Sequence, residues 1–307
     1  MLADPLRYLI GRPWRDIALS PDAVGIPTML SKQERRLLYS LARDYAGDGA
    51  IVDAGCFLGG STAALLAGVR DRLEPRTGPP VVSYDLFRVE AFTIPKFFPD
   101  DGSVQVGDSF RARFDAHLTR FDLPHEVHEG DITKIGWDGG PIDVLFLDVL
   151  KSWEINDAVL RDFFPSVVPG RTVIVHQDYG WGDTPWIPIT VELMRDSLVL
   201  LDWMEWGSHA FFVERELPAG LLENGVGGLD PDTKIELIEQ AIARAEGWVQ
   251  GMLEVSRTIL VAERDGPQAA FAELASIRER HPHHPFTLSC LDEVWATIER
   301  NAAAALR

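Results

Sequence analysis

One stretch constrains the chain more than any other: Ile51-Val-Asp-Ala-Gly-Cys-Phe-Leu-Gly-Gly-Ser61. An apolar run ends in an acid, a glycine turn follows, and Ser61 opens into the helix-forming Thr62-Ala-Ala-Leu-Leu-Ala67. The order is strand, tight loop, helix. Gly55 permits a turn that a Cβ would obstruct, and Gly59 and Gly60 let a ligand approach bare backbone. The first N–H groups of the new helix have no partner inside it, so they point into the loop. Three residues separate Gly55 from Gly59, which is not the G-x-G-x-x-G spacing of dinucleotide-binding folds. The stretch reads as a nucleotide-type site at the mouth of a parallel sheet, with a ligand-free structural turn as the plainer alternative.

The pattern repeats along the chain. Pro79-Pro-Val-Val-Ser-Tyr-Asp85, His125-Glu-Val-His-Glu-Gly-Asp-Ile132, Pro141-Ile-Asp-Val-Leu-Phe-Leu-Asp148 and Gly170-Arg-Thr-Val-Ile-Val-His-Gln-Asp178 each read as a strand with an acid at or near its end. Continuous apolar runs suit strands covered on both faces, and ligands of open parallel sheets bind beyond the carboxyl ends of the strands. Ser31-Lys-Gln-Glu34 is a capping box, and Leu37, Leu38, Leu41 and Tyr45 then recur at helical spacing until Gly47. Helices are also predicted over 109–121, from Lys151-Ser-Trp-Glu154 to about Phe164, and over 189–198. Tyr179 to Ile187 reads as a rigid aromatic loop. Val199 to Glu205 and His209 to Val213, joined by Trp206-Gly-Ser208, read as an antiparallel hairpin. The aromatics between residues 87 and 120 read as core, with loops around Pro95 and Pro99-Asp-Asp-Gly102 placed to cover a site.

Three regions follow. Residues 1–30 carry Pro5, Pro13, Pro21 and Pro27 and read as irregular, with Trp14, Ile26 and Met29 packing them over the domain or with the segment acting as a lid. Residues 31–217 are the ligand-binding domain. Residues 218–307 are a helical extension: a glycine-rich connection over 220–228, a long helix from Pro231 to about Arg264, then Pro267 to Arg280 and Phe286 to Leu306. His281-Pro-His-His-Pro285 reads as an interhelix turn, with metal binding the alternative. The extension is expected to mediate homo-oligomerisation or to supply part of a substrate wall.

Composition narrows the partners. A net charge of −18 disfavours nucleic acid and anionic membrane. Cys56 and Cys290 show neither metal spacing nor a disulfide framework, which suits a reducing cytoplasm. The N-terminus lacks the basic and apolar regions of a signal peptide, and no apolar run approaches the ~20 residues that span a bilayer.

The acid-x-Gly-x-x-x-Gly of Asp53 to Gly59 resembles motif I of the class I S-adenosylmethionine (SAM) methyltransferases, and the strand-end acids follow in that family's order between about residues 30 and 215. Within the family the chain is most similar to small-molecule O-methyltransferases, among them macrolide-sugar and aminocoumarin-sugar enzymes. The resemblance implies an α/β fold: a Rossmann-like seven-stranded, mostly parallel sheet with an antiparallel closing strand, here followed by the all-helical extension. It implies SAM as cofactor, with Asp53, Gly55, Gly59 and Ser61 around the methionine moiety, Asp85 at the ribose hydroxyls, and Asp131 with Ile132 at the adenine.

The acceptor side departs from the family. The sugar enzymes hold Mg²⁺ on an Asp after strand four and an Asp-Asp pair after strand five. The resemblance therefore implies Asp148, Gln177 and Asp178 as metal ligands, with an amide replacing one acid. A hard cation there would bind two acceptor hydroxyls and lower the pKa of the attacking one. The family's Asp-Gly-Asp reads Asp148-Val149-Leu150, so its second acid, a proposed general base, is missing. Asp148 and His176 are the catalytic candidates, His176 because imidazole titrates near neutrality. A buried strand histidine is the alternative, and Lys151 is a lesser candidate. The expected activity is SAM-dependent O-methylation of a small polar acceptor, a sugar or glycosylated metabolite. The other reading is a SAM-binding, catalytically degenerate scaffold.

Overall fold

The computed structural model describes residues 11–99, 102–204 and 207–305. Expectations for residues 1–10, for Asp100 and Asp101, for Glu205 and Trp206 of the hairpin, and for Leu306 lie outside the described residues. Strands β1 (Ala50–Ala54), β2 (Val81–Asp85), β3 (His125–Glu129), β4 (Ile142–Leu147), β5 (Val173–His176), β6 (Leu198–Trp203) and β7 (His209–Val213) form one sheet in the order β3-β2-β1-β4-β5-β7-β6. The first five run parallel, and β7 enters antiparallel between β5 and β6. This is the expected mostly parallel sheet with antiparallel closure.

Strand alternation divides the core. Ile51, Val144, Phe146, Val173 and Val175 pack with α1 (Lys32–Ser40), α2 (Gly60–Arg70) and α3 (Arg111–Leu118). Val52, Leu145, Leu147 and Ile174 face the other way, toward α4 (Trp153–Asp162) and α5 (Trp186–Leu193). The capping box of α1 forms as read: Ser31 N–H donates to Glu34 Oε2 at 2.6 Å, and Glu34 N–H donates to Ser31 Oγ at 3.2 Å. Trp14 and Ile26 are buried beneath the N-terminal segment, whereas Met29 is exposed. Arg12 fastens that segment to β6 through Asp202 at 2.8 Å.

Several element boundaries differ from the sequence expectation. Helix α5 starts at Trp186, inside the stretch read as an aromatic loop, and gives way to a 3₁₀ turn over Arg195–Ser197 before β6 begins at Leu198. The glycine-rich connection contains a short helix, Ala219–Asn224, stopped by Gly225 at φ +65°. The long helix is two, α6 (Pro231–Arg244) and α7 (Gly247–Asp265), because Ala245 and Glu246 are extended and Gly247 takes φ +61°. Helices α8 (Pro267–Arg280) and α9 (Pro285–Ala305) follow, separated by the histidine turn. Ile238, Met252, Leu274 and Leu291 of these helices share one apolar core with Leu145, Ile174 and Phe211 of the sheet. No helix among the described residues is long and apolar enough to cross a membrane.

Candidate functional site

Backbone hydrogen bonds level the strand ends. Gly55 N–H donates to Tyr84 O at 2.8 Å, Asp148 N–H to Ala54 O at 2.7 Å, Gln177 N–H to Leu147 O at 3.0 Å and Gly130 N–H to Asp85 O at 2.9 Å. Asp53, Asp85, Asp131, Asp148 and Asp178 therefore stand in one row along the carboxyl edge of the sheet, where open parallel sheets bind ligands.

At the end of β1, Asp53 is fully buried. Ser61 Oγ and Thr62 Oγ1 donate to its Oδ2 at 2.9 and 2.6 Å, and its Oδ1 has no partner. Burial pushes its carboxyl up to about 7 against those two hydrogen bonds. Gly55 turns at φ +95°, and a Cβ there would strike the Asp148 carbonyl, so the glycine lets the ends of β1 and β4 meet. A Cβ on Gly59, at φ +96°, would press on the Phe114 ring, and one on Gly60 would strike Thr28. Here the chain itself, not only a ligand, makes the close approach to Gly59 and Gly60.

At the end of β2, Asp85 Oδ2 accepts from Phe57 N–H at 2.8 Å and Oδ1 from Phe87 N–H at 2.7 Å. Phe57 and Phe87 sit at φ +44° and +52°. Non-glycine residues rarely adopt that region, and it costs of order 1–3 kcal/mol each. Asp85 thus braces both loops that border the mouth, while burial raises its carboxyl.

At the end of β3, Asp131 caps the short helix Ile132–Ile135. It accepts from Thr133 N–H at 3.0 Å and Thr133 Oγ1 at 2.7 Å and pairs with Lys134 at 2.8 Å. Lys134 and these hydrogen bonds hold its carboxyl down at about 2. Ile132 is buried in the core.

The ends of β4 and β5 hold a cation of the protein's own. Lys151 Nζ lies 3.0 Å from Asp148 Oδ1 and also pairs with Asp178 Oδ2. The Gln177 amide lies against both acids, 3.1 Å from Asp148 Oδ1. Burial pushes the Asp148 carboxyl up, Lys151 draws it back and Asp178 pushes it up again, leaving it raised. An ammonium spans the two acids where Mg²⁺ would sit, so the residues as arranged do not fit that ion. Among the described residues no group of three or more His, Cys, Asp and Glu is placed to hold a metal.

Glu34 is a participant the sequence did not expose. Its Oε1 accepts from Ser208 Oγ, which lies 3.1 Å from the Gln177 carbonyl. Burial lifts its carboxyl to about 7 against hydrogen bonds from Ser208 and Ser31, and Asp178 lifts it further. The capping box accounts fully for Glu34 in sequence, so nothing there signals this second contact.

His176 shares the face of Ile174, away from α1 and α2. It is buried beside Phe211, with both ring nitrogens unpartnered, and burial depresses its pKa to about 3. Two clefts of about 330 and 350 Å³ open elsewhere, one lined by Tyr179, Glu192 and Arg244, the other by Phe98, Asp108 and Arg113. Neither is lined by a strand-end acid of the row.

No family model and no curated protein matches the chain. Solved structures do. Cofactor-bound Rv0187 from MTB is 19% identical, over 70% of this chain and 92% of that one, with a TM-score of 0.43. Apo CalS11, a TDP-rhamnose 3'-O-methyltransferase of calicheamicin biosynthesis, is 18% identical over 69% and 92%, with a TM-score of 0.44. A SAM-dependent methyltransferase from Thiobacillus denitrificans, in complex with S-adenosyl-L-homocysteine, is 14% identical over 89% and 95%, with a TM-score of 0.32.

Proposed function

We propose that this protein binds SAM along the row of strand-end acids and transfers its methyl group to a hydroxyl of a small polar acceptor, a sugar or glycosylated metabolite. The observation that carries the reading is the buried, partnerless oxygen of Asp53 beside the glycine turn. Such an oxygen suits a cationic group, and the amino group of the methionine moiety is one. Ser61 orients Asp53, and Gly55 and Gly59 shape the loop. Each Asp85 oxygen accepts one backbone N–H and keeps acceptor capacity for a ribose hydroxyl. Asp131 and Ile132 border the adenine, with the Asp131 carboxylate shared with its own helix cap.

SAM, when bound, supplies a methyl group made electrophilic by its sulfonium. In the transfer a C–O bond forms as the C–S bond breaks, the electron pair passes to sulfur, and S-adenosylhomocysteine (SAH) is released. The protein's contribution is alignment and a proton acceptor. Asp148, its carboxyl raised by burial and by Asp178 beside it, is suited to take the hydroxyl proton. His176, enclosed against Phe211, is given no part. The acidity of the chain supports a small acceptor over nucleic acid or a membrane surface. Two buried free cysteines support a cytoplasmic setting, and association through the C-terminal helices belongs to the same proposal.

Calorimetric titration with SAM, SAH and NAD tests the cofactor: heat with SAM and SAH but not with NAD is expected, and silence toward SAM refutes the reading. A non-catalytic SAM-binding scaffold is favoured by one observation, the absence of a second acid in Asp148-Val149-Leu150. Release of SAH in the presence of sugar acceptors separates the two.

A further inference from the structure

We infer that Lys151 is the resident cation of the acceptor site, holding the place between Asp148 and Asp178 that a divalent metal would otherwise take. The use we give it rests on the proposed methyl transfer; the geometry does not. Asp148 and Asp178 leave the ends of adjacent parallel strands, and their side chains are 17% and 13% exposed. Two carboxylates so placed repel each other unless a cation lies between them. Lys151, on the turn before α4, supplies it to both. The Gln177 amide lies beside them, 3.1 Å from Asp148 Oδ1. The pair thus receives one positive charge, set where a hard divalent ion would need both carboxylates.

The ammonium has three donors, and among the described residues two acceptors use it. Its side chain is 54% exposed, so the remaining N–H can meet an acceptor oxygen at the mouth. A point charge with one free donor binds one hydroxyl, whereas a metal can chelate two neighbouring ones. The site therefore takes an acceptor through a single hydroxyl and does not require a vicinal diol. Lys151 acts as a positioning cation for that oxygen.

Manganese binding to the full-length protein, read by the loss of the free Mn²⁺ electron paramagnetic resonance signal, tests this without any methyl transfer. The wild-type protein should bind no stoichiometric Mn²⁺. Lys151→Ala should gain one site at least tenfold tighter than any wild-type binding, and adding Asp178→Asn should remove it. Lys151→Gln keeps the side-chain bulk without the charge and should show the same gain, so poor folding of the alanine variant leaves the test intact. Wild-type binding abolished by Asp178→Asn would overturn the inference, as would no gain in folded Lys151→Ala or Lys151→Gln. A protein that ignores SAM yet gains the manganese site would lose the proposed function and keep the resident cation. One that binds SAM without the gain would do the reverse.

Discussion

Asp53 and Asp148 stand on the same edge of one sheet, on adjacent strands, and burial lifts both carboxyls. What answers them differs. Asp53 is met by two hydroxyls at one oxygen and by nothing at the other. Asp148 is met by an ammonium shared with Asp178 and by the Gln177 amide. Neutral donors soften a buried negative charge without cancelling it, and a buried carboxylate lacking a cation is unfavourable. The β1 end is therefore receptive to a positively charged ligand, while the β4 and β5 ends already hold a cation and are left to handle a hydroxyl. One edge carries both a vacant and a filled version of the same electrostatic problem.

The largest expected effect breaks the filled side. Asp178→Ala should lower the rate of SAH release by about 10²–10⁴-fold, the usual contribution of a positioned proton acceptor and its partner, while calorimetric SAM affinity stays close to wild type. Full activity in that variant would take the acceptor away from β5.

On the vacant side, Asp53→Asn should weaken SAM about ten- to a hundredfold, the worth of a charged hydrogen bond of ~1.5–3 kcal/mol. The pH dependence sharpens the contrast. Below pH 7 the free protein holds Asp53 protonated, and a cationic ligand must displace that proton. Wild-type SAM affinity should therefore rise with pH by up to about tenfold per unit below 7 and level off above it, and the asparagine variant should be flatter. A wild-type affinity that falls between pH 6 and pH 7 would contradict the assignment.

Asp85→Ala removes the acceptor for the N–H groups of Phe57 and Phe87, both in left-handed conformation. Thermal unfolding should report a loss of roughly 1–3 kcal/mol, alongside weaker SAM binding. Unchanged stability would mean that the two loops hold themselves.

The smallest effect at neutral pH is His176→Leu, which removes two unpartnered buried nitrogens and should stabilise by about 1 kcal/mol. The folded pKa of His176 is depressed to about 3, so its contribution is present above pH 6.5 and is lost as pH falls, when the unfolded chain takes up a proton that the folded one refuses. The leucine variant should gain further on wild type between pH 6.5 and pH 4. Equal acid sensitivity in denaturant titrations would mean that the imidazole is hydrated.

The sheet was legible because strands covered on both faces leave continuous apolar runs, and each central run here stops at an acid. The positions of Asp53, Asp85, Asp148 and Asp178 along one edge followed from that. The break between α6 and α7 was not legible, because the amphipathic pattern continues across Ala245-Glu246-Gly247 and a single glycine is tolerated within a helix. Lys151 sits three residues from Asp148, yet its bridge depends on where β5 delivers Asp178, which spacing does not encode. Whether Asp148, Gln177 and Asp178 can share a metal turns on the reach of one lysine, a product of tertiary structure. His176 was ambiguous because alternation fixes a side chain's face only once the strand's ends are known.

Helix α5, which covers the sheet face bearing Leu145 and Ile174, is covered in turn by α6, and Ile238, Met252, Leu274 and Leu291 of the C-terminal helices extend the same apolar core. During synthesis the parallel strands emerge long before those side chains exist. A nascent chain therefore carries an unfinished apolar surface over α5 until residues 231–291 have been made, and it is adhesive until then. A product cut short near residue 217 should be retained by chaperones rather than released.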